Sequence, residues 1–190
     1  MSTTNIKKST TSKLHLGCGE FILPGWVNHD MVSLPGVDVA HNLNILPWPF
    51  ADNEFGEVRM INVLEHLPNT IEVIEELSRI TCPGARICIH VPYWNARDNA
   101  TDLTHCRTFS EYSFDFFDGR TDLGRRRAYY SKARFHILKK RFFVNIALGS
   151  YSRFIRVTKP WLRSPLSGLA RHFCGVIWAF EVELQNMKTS

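Results

Sequence analysis

Apolar and polar positions alternate in short bursts along the chain, and each burst stops at a turn signal. Leu14 and Leu16 alternate with Lys13 and His15, and the run halts at Gly17-Cys18-Gly19, the pattern of a strand entering a glycine turn. Trp26 to Asp30 reads as a second strand closed by an acid, and Val37 to Ala40 as a short third. Val58 to Val63 is a fourth strand, and Ala85 to Val91 alternates as a fifth. Phe135 to Val144 and Val176 to Leu184 are apolar enough for two more. Between the fourth and fifth, Asn69 to Ile80 has helical spacing: Ile71, Ile74, Leu77 and Ser78 share a face that the charged residues avoid. Asn69 or Thr70 is its predicted cap, and Pro83-Gly84 its stop. Ser110 to Phe117 reads as a short capped helix, and Pro160 to Phe173 as an amphipathic one. The prolines of Leu46 to Phe50 bar that stretch from being a helix or a central strand.

Strands separated by helices or loops in this order predict an α/β fold. It is a mostly parallel, seven-stranded, Rossmann-like sheet with helices on both faces. Ligands of such sheets bind beyond the carboxyl ends of the strands, where the strand order reverses.

At 190 residues, with 44% hydrophobic and 22% charged residues, the chain is sized for one domain. That domain is predicted over residues 13–190, after a Ser/Thr/Lys-rich lead-in at 1–12 with no signal-peptide pattern. No run approaches the roughly 18 apolar residues of a membrane span. Five cysteines with no C-x-x-C pair predict reduced thiols and a cytoplasmic setting. Cys82, Cys88, His90, His105 and Cys106 lack the paired spacing of structural zinc ligands, so no metal site is expected.

Charge is distributed unevenly. From Arg120 to Gly175 there are fourteen lysines and arginines and one acid, Asp122. This stretch dominates a basic acceptor or cap region over about residues 93–175. Such a field concentrates anions such as phosphorylated small molecules, nucleic acid or anionic lipid, or it is simply a solvated face. Residues 151–180 interleave Arg153, Arg156, Lys159, Arg163 and Arg171 with Phe154, Trp161, Leu166 and Phe173. That composition suits either peripheral contact with the inner membrane surface or packing against the sheet.

The candidate chemistry gathers at strand ends. Glycines at Gly17 and Gly19 allow a ligand to approach the backbone closely. Asp30, ending the next strand, can accept bonds from ribose hydroxyls. Asn42-Leu43 follows the third strand, and Asn62-Val63-Leu-Glu-His66 the fourth. In four ordered segments the chain resembles the class I S-adenosylmethionine-dependent methyltransferases. They are LHLGCGEFILPGWVNHD (14–30), HNLNILPWPFADNEFGEV (41–58), INVLEHL (61–67) and PGARICIHVP (83–92). The resemblance implies that Gly17, Cys18 and Gly19 line the methionine part of S-adenosylmethionine, and that Asp30 holds its ribose. It implies that Asn42 and Leu43 meet the adenine, and that Asn62 and Val63 face the sulfonium. The product would be S-adenosylhomocysteine. His15 and Phe21 depart from the family pattern, where an acid and a third glycine are usual. Ten residues separate Gly19 from Asp30, against roughly twenty in dinucleotide-binding units, so the first crossover helix is shortened.

His66 and His105 stand where an acceptor would bind, and histidine is the usual general base near neutral pH. Asp102-Leu-Thr-His105-Cys-Arg107-Thr-Phe109 is similar to an Asp-x-Thr-His-x-Arg-x-Phe pattern found in part of the family. His105 is the preferred base, with Asp102 orienting it, Arg107 pairing an anionic acceptor, and Tyr93 and Trp94 either walling the site or packing in the core. The segment after the fourth strand lacks the Asn/Asp-Pro-Pro-aromatic motif of base methyltransferases, which disfavours nucleic acid as acceptor. The favoured acceptor is a sugar or other small anion, such as a nucleotide sugar or glycolipid precursor in surface-polysaccharide synthesis. A protein that binds the cofactor without methyl transfer, and an RNA-binding module on the same fold, are the alternatives.

Overall fold

Leu14 and Leu16, Val58 and Met60, and Ile87, Ile89 and Val91 turn to one side of a single sheet, where all are fully buried. Each such side chain contributes about 1.5–3 kcal/mol relative to its exposed state. The structure, a computed structural model, describes residues 12–148 and 151–189. Of the expected lead-in only Ser12 lies among them, and it begins the first strand. The elements run β1 (Ser12–Leu16), β2 (Val27–Asp30), β3 (Val39–Ala40), β4 (Phe55–Ile61), α1 (Thr70–Ile80) and β5 (Thr81–Pro92). There follow α2 (Arg97–Thr101), α3 (Asp122–Arg126), β6 (Phe135–Leu148), β7 (Tyr151–Val157), α4 (Pro160–Ala170) and β8 (Ile177–Asn186). Short 3-10 turns occupy Leu64–His66 and Ser113–Phe117.

The strand order is β3-β2-β1-β4-β5-β8-β6-β7. The first five strands are parallel, and β8 runs antiparallel between β5 and β6. The order reverses between β1 and β4, so Gly17 and Asn62 leave adjacent strand ends at the switch point.

The sheet has one strand more than the sequence predicts. The addition, β7, pairs with β6 and with no other strand among the described residues, and an edge strand need carry no alternating apolar pattern. Among the described residues, α1 buries Val73, Ile74, Leu77 and Ile80, and α4 buries Ala170, in the core that holds Leu14 and Val58. The opposite face carries Lys13, Glu57, Arg59, Arg86, Arg141 and Glu183. It is tied by Lys13–Glu57 at 2.8 Å, Arg86–Glu183 at 3.5 Å and Arg141–Glu183 at 3.0 Å. The alternation read over Ala85 to Val91 belongs to a strand with one apolar face.

Neither predicted cap of α1 acts as one. Asn69 makes no side-chain cap bond, and the buried Thr70 hydroxyl has no partner. The helix is anchored elsewhere: Trp48 N–H donates to Glu76 at 2.7 Å, and Arg79 donates to Glu76, Asp52 and the Trp48 and Phe50 carbonyls. Pro83-Gly84 falls inside β5, not in a separate turn. No described helix is long and apolar enough to cross a membrane.

Candidate functional site

The first crossover contains no helix at all. Residues 17–26 form a stitched loop: Cys18 N–H donates to the His29 carbonyl at 2.9 Å, and Phe21 N–H to the Cys18 carbonyl at 2.9 Å. Asn28 closes it. Its side chain accepts from Leu23 N–H at 2.9 Å and donates to the Leu23 and Trp26 carbonyls, both at 3.1 Å. Asp38 in turn accepts from Asn28 N–H at 2.7 Å. Neither residue was singled out from sequence, although a buried Asn beside a crossover too short for a helix is the signal that could have found it.

Gly17 and Gly19 both have positive φ, 63° and 52°. At Gly17 an added Cβ would lie 2.2 Å from a Val63 methyl, whereas at Gly19 it would meet open space. Gly17 is therefore required by packing, and Gly19 opens onto a cavity. That cavity, about 550 Å³, is lined by His15, Gly17, Cys18, Gly19, Glu20, Phe21, Leu23, Arg59, Ile61 and Asn62. Asp30 joins it through Gly19, whose N–H it accepts at 2.8 Å, while its other oxygen accepts from Val32 N–H at 3.1 Å. Burial and the nearby Asp30 charge raise the Cys18 pKa, so the thiol is a neutral wall. Burial lowers the pKa of His15, whose Nδ1 has no partner, so a neutral imidazole stands beside the Arg59 guanidinium.

The remaining cofactor candidates sit apart from this cavity. Val63 backs Gly17. Asn42 Oδ1 accepts from Asn44 N–H at 3.0 Å, and the buried Leu43 gives its carbonyl to Trp48 Nε1 at 3.0 Å. An adenine amino group would have to share Asn42 Oδ1 with that local turn.

A second cavity, about 730 Å³, lies across Asn62 from the first. It is lined by Asn62, Glu65, His66, Pro92, Trp178, Ala179 and the strap Thr101–His105. The strap is pinned by Cys106 N–H and Arg107 N–H, which donate to the Glu65 carbonyl at 2.9 and 3.1 Å. His105 and His66 meet edge to face at 4.7 Å. His105 Nε2 stands 3.7 Å from Asp102 Oδ2 and 4.0 Å from Glu65 Oε1, and its Nδ1 is 3.3 Å from the Asn99 carbonyl. Thr104 bridges, with its hydroxyl 2.6 Å from Asp102 Oδ1 and 2.9 Å from His66 Nδ1.

The sequence reading missed Glu65. It is fully buried, neither carboxylate oxygen has a hydrogen-bond partner among the described residues, and burial pushes its pKa up to about 7. Three other candidates lie elsewhere. Tyr93 is buried with its hydroxyl donating to Glu111 at 2.6 Å, Trp94 is half-exposed outside the cavity, and Arg107 clamps the Pro68 carbonyl at 2.7 Å. Of the cysteine and histidine set considered for zinc, only His105 belongs to a group of potential ligands among the described residues.

No protein-family model matches this chain, and no curated protein matches it in sequence. Solved structures do match its fold. A SAM-dependent methyltransferase from Archaeoglobus fulgidus superposes with TM-score 0.60 at 16% identity, over 94% of this chain and 87% of that one. A SAM-dependent methyltransferase from Thermotoga maritima gives 0.55 at 14%, over 93% and 82%. The [4+2]-cyclase SpnF gives 0.50 at 13%, over 92% and 74%. The chain therefore has the Rossmann-like fold of SAM-dependent methyltransferases.

Proposed function

We propose that this chain is an S-adenosylmethionine-dependent methyltransferase that methylates an oxygen of a small anionic acceptor, with a sugar nucleotide or glycolipid precursor as the favoured class. The observation that carries the reading is the pair of cavities that meet at Asn62, one lined by the glycine turn and the other by histidines. Bound S-adenosylmethionine supplies an electrophilic methyl group. In-line displacement needs donor and acceptor held on opposite sides of the transferred carbon, and two adjoining cavities suit that demand.

The cofactor fits the first cavity on chemical grounds. Gly19 presents no side chain there, and Asp30 keeps a free lone pair on each oxygen for a ribose hydroxyl. Arg59 and the unpartnered His15 nitrogen suit the amino-acid carboxylate, in place of the acid that would meet its amino group. In the second cavity, His105 Nε2 is the nitrogen aimed between two carboxylates, a setting that stabilises a proton taken from an acceptor hydroxyl. Asp102 supports it and also orders Thr104, which positions His66. Outside the cavities, α4 leaves Trp161 and Leu169 exposed, with Phe173 just beyond it, among the exposed Lys159 and Arg171. That chemistry suits an acceptor carried in an anionic bilayer.

Calorimetry with S-adenosylhomocysteine tests the first half: micromolar heat is expected, weakened at least tenfold in Asp30→Ala. Absence of heat in the folded protein would end the proposal. An acceptor panel with labelled cofactor tests the second half. The reading that the chain binds the cofactor without methyl transfer draws on His15 in place of an acid. It predicts tight product binding with no label transferred to any acceptor.

A further inference from the structure

We propose that Glu65, His66 and His105 form a binding site for a divalent zinc-type metal ion at the wall of the histidine-lined cavity. Their ligand atoms lie within 4.8 Å of one another. Ligands held about 2.0–2.2 Å from zinc in a tetrahedron stand roughly 3.4 Å apart, so the set closes by up to about 1.5 Å.

The hydrogen bonding around the cluster makes its centre rich in acceptors. The Thr104 hydroxyl spends its proton on Asp102 Oδ1 at 2.6 Å, so toward His66 Nδ1 at 2.9 Å it can only accept. His66 therefore carries its proton on Nδ1 and keeps a lone pair on Nε2. The Asn99 carbonyl, 3.3 Å from His105 Nδ1, is likewise only an acceptor, which leaves His105 Nε2 with its lone pair. That lone pair faces Glu65 Oε1 at 4.0 Å and Asp102 Oδ2 at 3.7 Å, both beyond hydrogen-bond length. Among the described residues no hydrogen-bond donor reaches either oxygen of the fully buried Glu65. A buried carboxyl facing lone pairs is costly as the anion unless it takes up a proton or a cation stands among them. Two imidazole nitrogens and one carboxylate oxygen make a three-ligand set whose remaining position opens to the cavity, the arrangement of a catalytic rather than a structural zinc site. Thr104, Asp102 and the Asn99 carbonyl are the outer partners that fix ring orientation in such sites.

One consequence rests on the function proposed above. An acceptor oxygen seated on the ion would have its proton affinity lowered there, and His105, the base of the metal-free cavity, becomes a ligand in the loaded one. The site itself is tested without cofactor or acceptor. Zinc is titrated into the full chain against a chromophoric chelator, with circular dichroism to confirm folding. One equivalent is expected, with affinity lost in the double variant His66→Ala/His105→Ala and in Glu65→Gln. Thr104→Val changes an exposed residue that touches no ion, and it should weaken binding by about 10–100-fold. Cobalt in place of zinc should give visible ligand-field bands without thiolate charge transfer. Failure of the folded wild type to bind zinc overturns the proposal. So does unchanged affinity in the double variant, which would put the ion on the exposed thiols of Cys106 and Cys174. Either failure leaves the homocysteine-product binding test untouched, and failure of that test leaves the zinc titration untouched.

Discussion

The cavities on either side of Asn62 are built by different means. The first is shaped by backbone: positive φ at Gly17 and Gly19, the Cys18 N–H bond to His29, and the Asn28 side chain tying the loop down. The second is shaped by side chains from segments some forty residues apart, Glu65 and His66 against Asp102, Thr104 and His105. A backbone-built site is rigid before any ligand arrives. A site built from ionisable side chains has electrostatics that depend on what occupies it, and here it keeps a buried carboxylate without a partner. The first arrangement suits holding a constant ligand, and the second suits chemistry on a variable one.

The largest expected effect falls on the side-chain-built cavity. His105→Ala should lower turnover by about 10²–10⁴-fold. Affinity for S-adenosylhomocysteine, measured by calorimetry, should stay as in the wild type. An equal loss of both would mean that the two cavities are one site and would erase the comparison.

The backbone-built cavity should respond in stability. Gly17→Ala combines a Cβ 2.2 Å from Val63 with φ of +63°. Overpacking costs about 1–3 kcal/mol and the left-handed backbone about 1–2 more. Gly19→Ala meets open space and should carry only the backbone cost, about 1–2 kcal/mol. Denaturant unfolding of the two variants measures the difference. Equal midpoints would show that Val63 yields and that Gly17 is not a fixed point.

This contrast also explains what the sequence could carry. Glycines, alternation and strand order are backbone facts, so β1 to β5, the turn at Gly17 and the switch point were legible. Of the two readings open for Tyr93, the core one matches its burial, and alternation extended two residues past Val91 favours it. Glu65 was not legible. In Val-Leu-Glu-His it looks like an exposed acid opening a helix, and its burial follows only from the strap that folds over it from residues 102–107. The edge strand β7 was hidden for a related reason: with one neighbour and exposed side chains at Ile155 and Arg156, it needs no inward pattern.

The mildest test uses acid. Asp118 joins the segment after the strap to β6: it accepts from Ile137 N–H at 2.8 Å and pairs with Arg120 at 2.6 Å. Burial opposes its charge, but the bonds from Arg120 and Ile137 outweigh that and bring its pKa down to about 2 from 3.8. A carboxylate whose pKa is depressed by folding contributes stability above its unfolded pKa, and that contribution fades as pH falls from about 4 toward 2. By linkage it is worth about 2 kcal/mol. Asp118→Asn should therefore be less stable at pH 7, with a shallower loss of stability in acid. The Cys18 N–H, held by a peptide carbonyl at 2.9 Å, has no such dependence. Hydrogen exchange separates them, because protection at Ile137 should fall between pH 4 and pH 2 while protection at Cys18 persists. If both amides lose protection together, the segment held by Asp118 and the glycine turn open as one unit, and their different bonding has no energetic consequence.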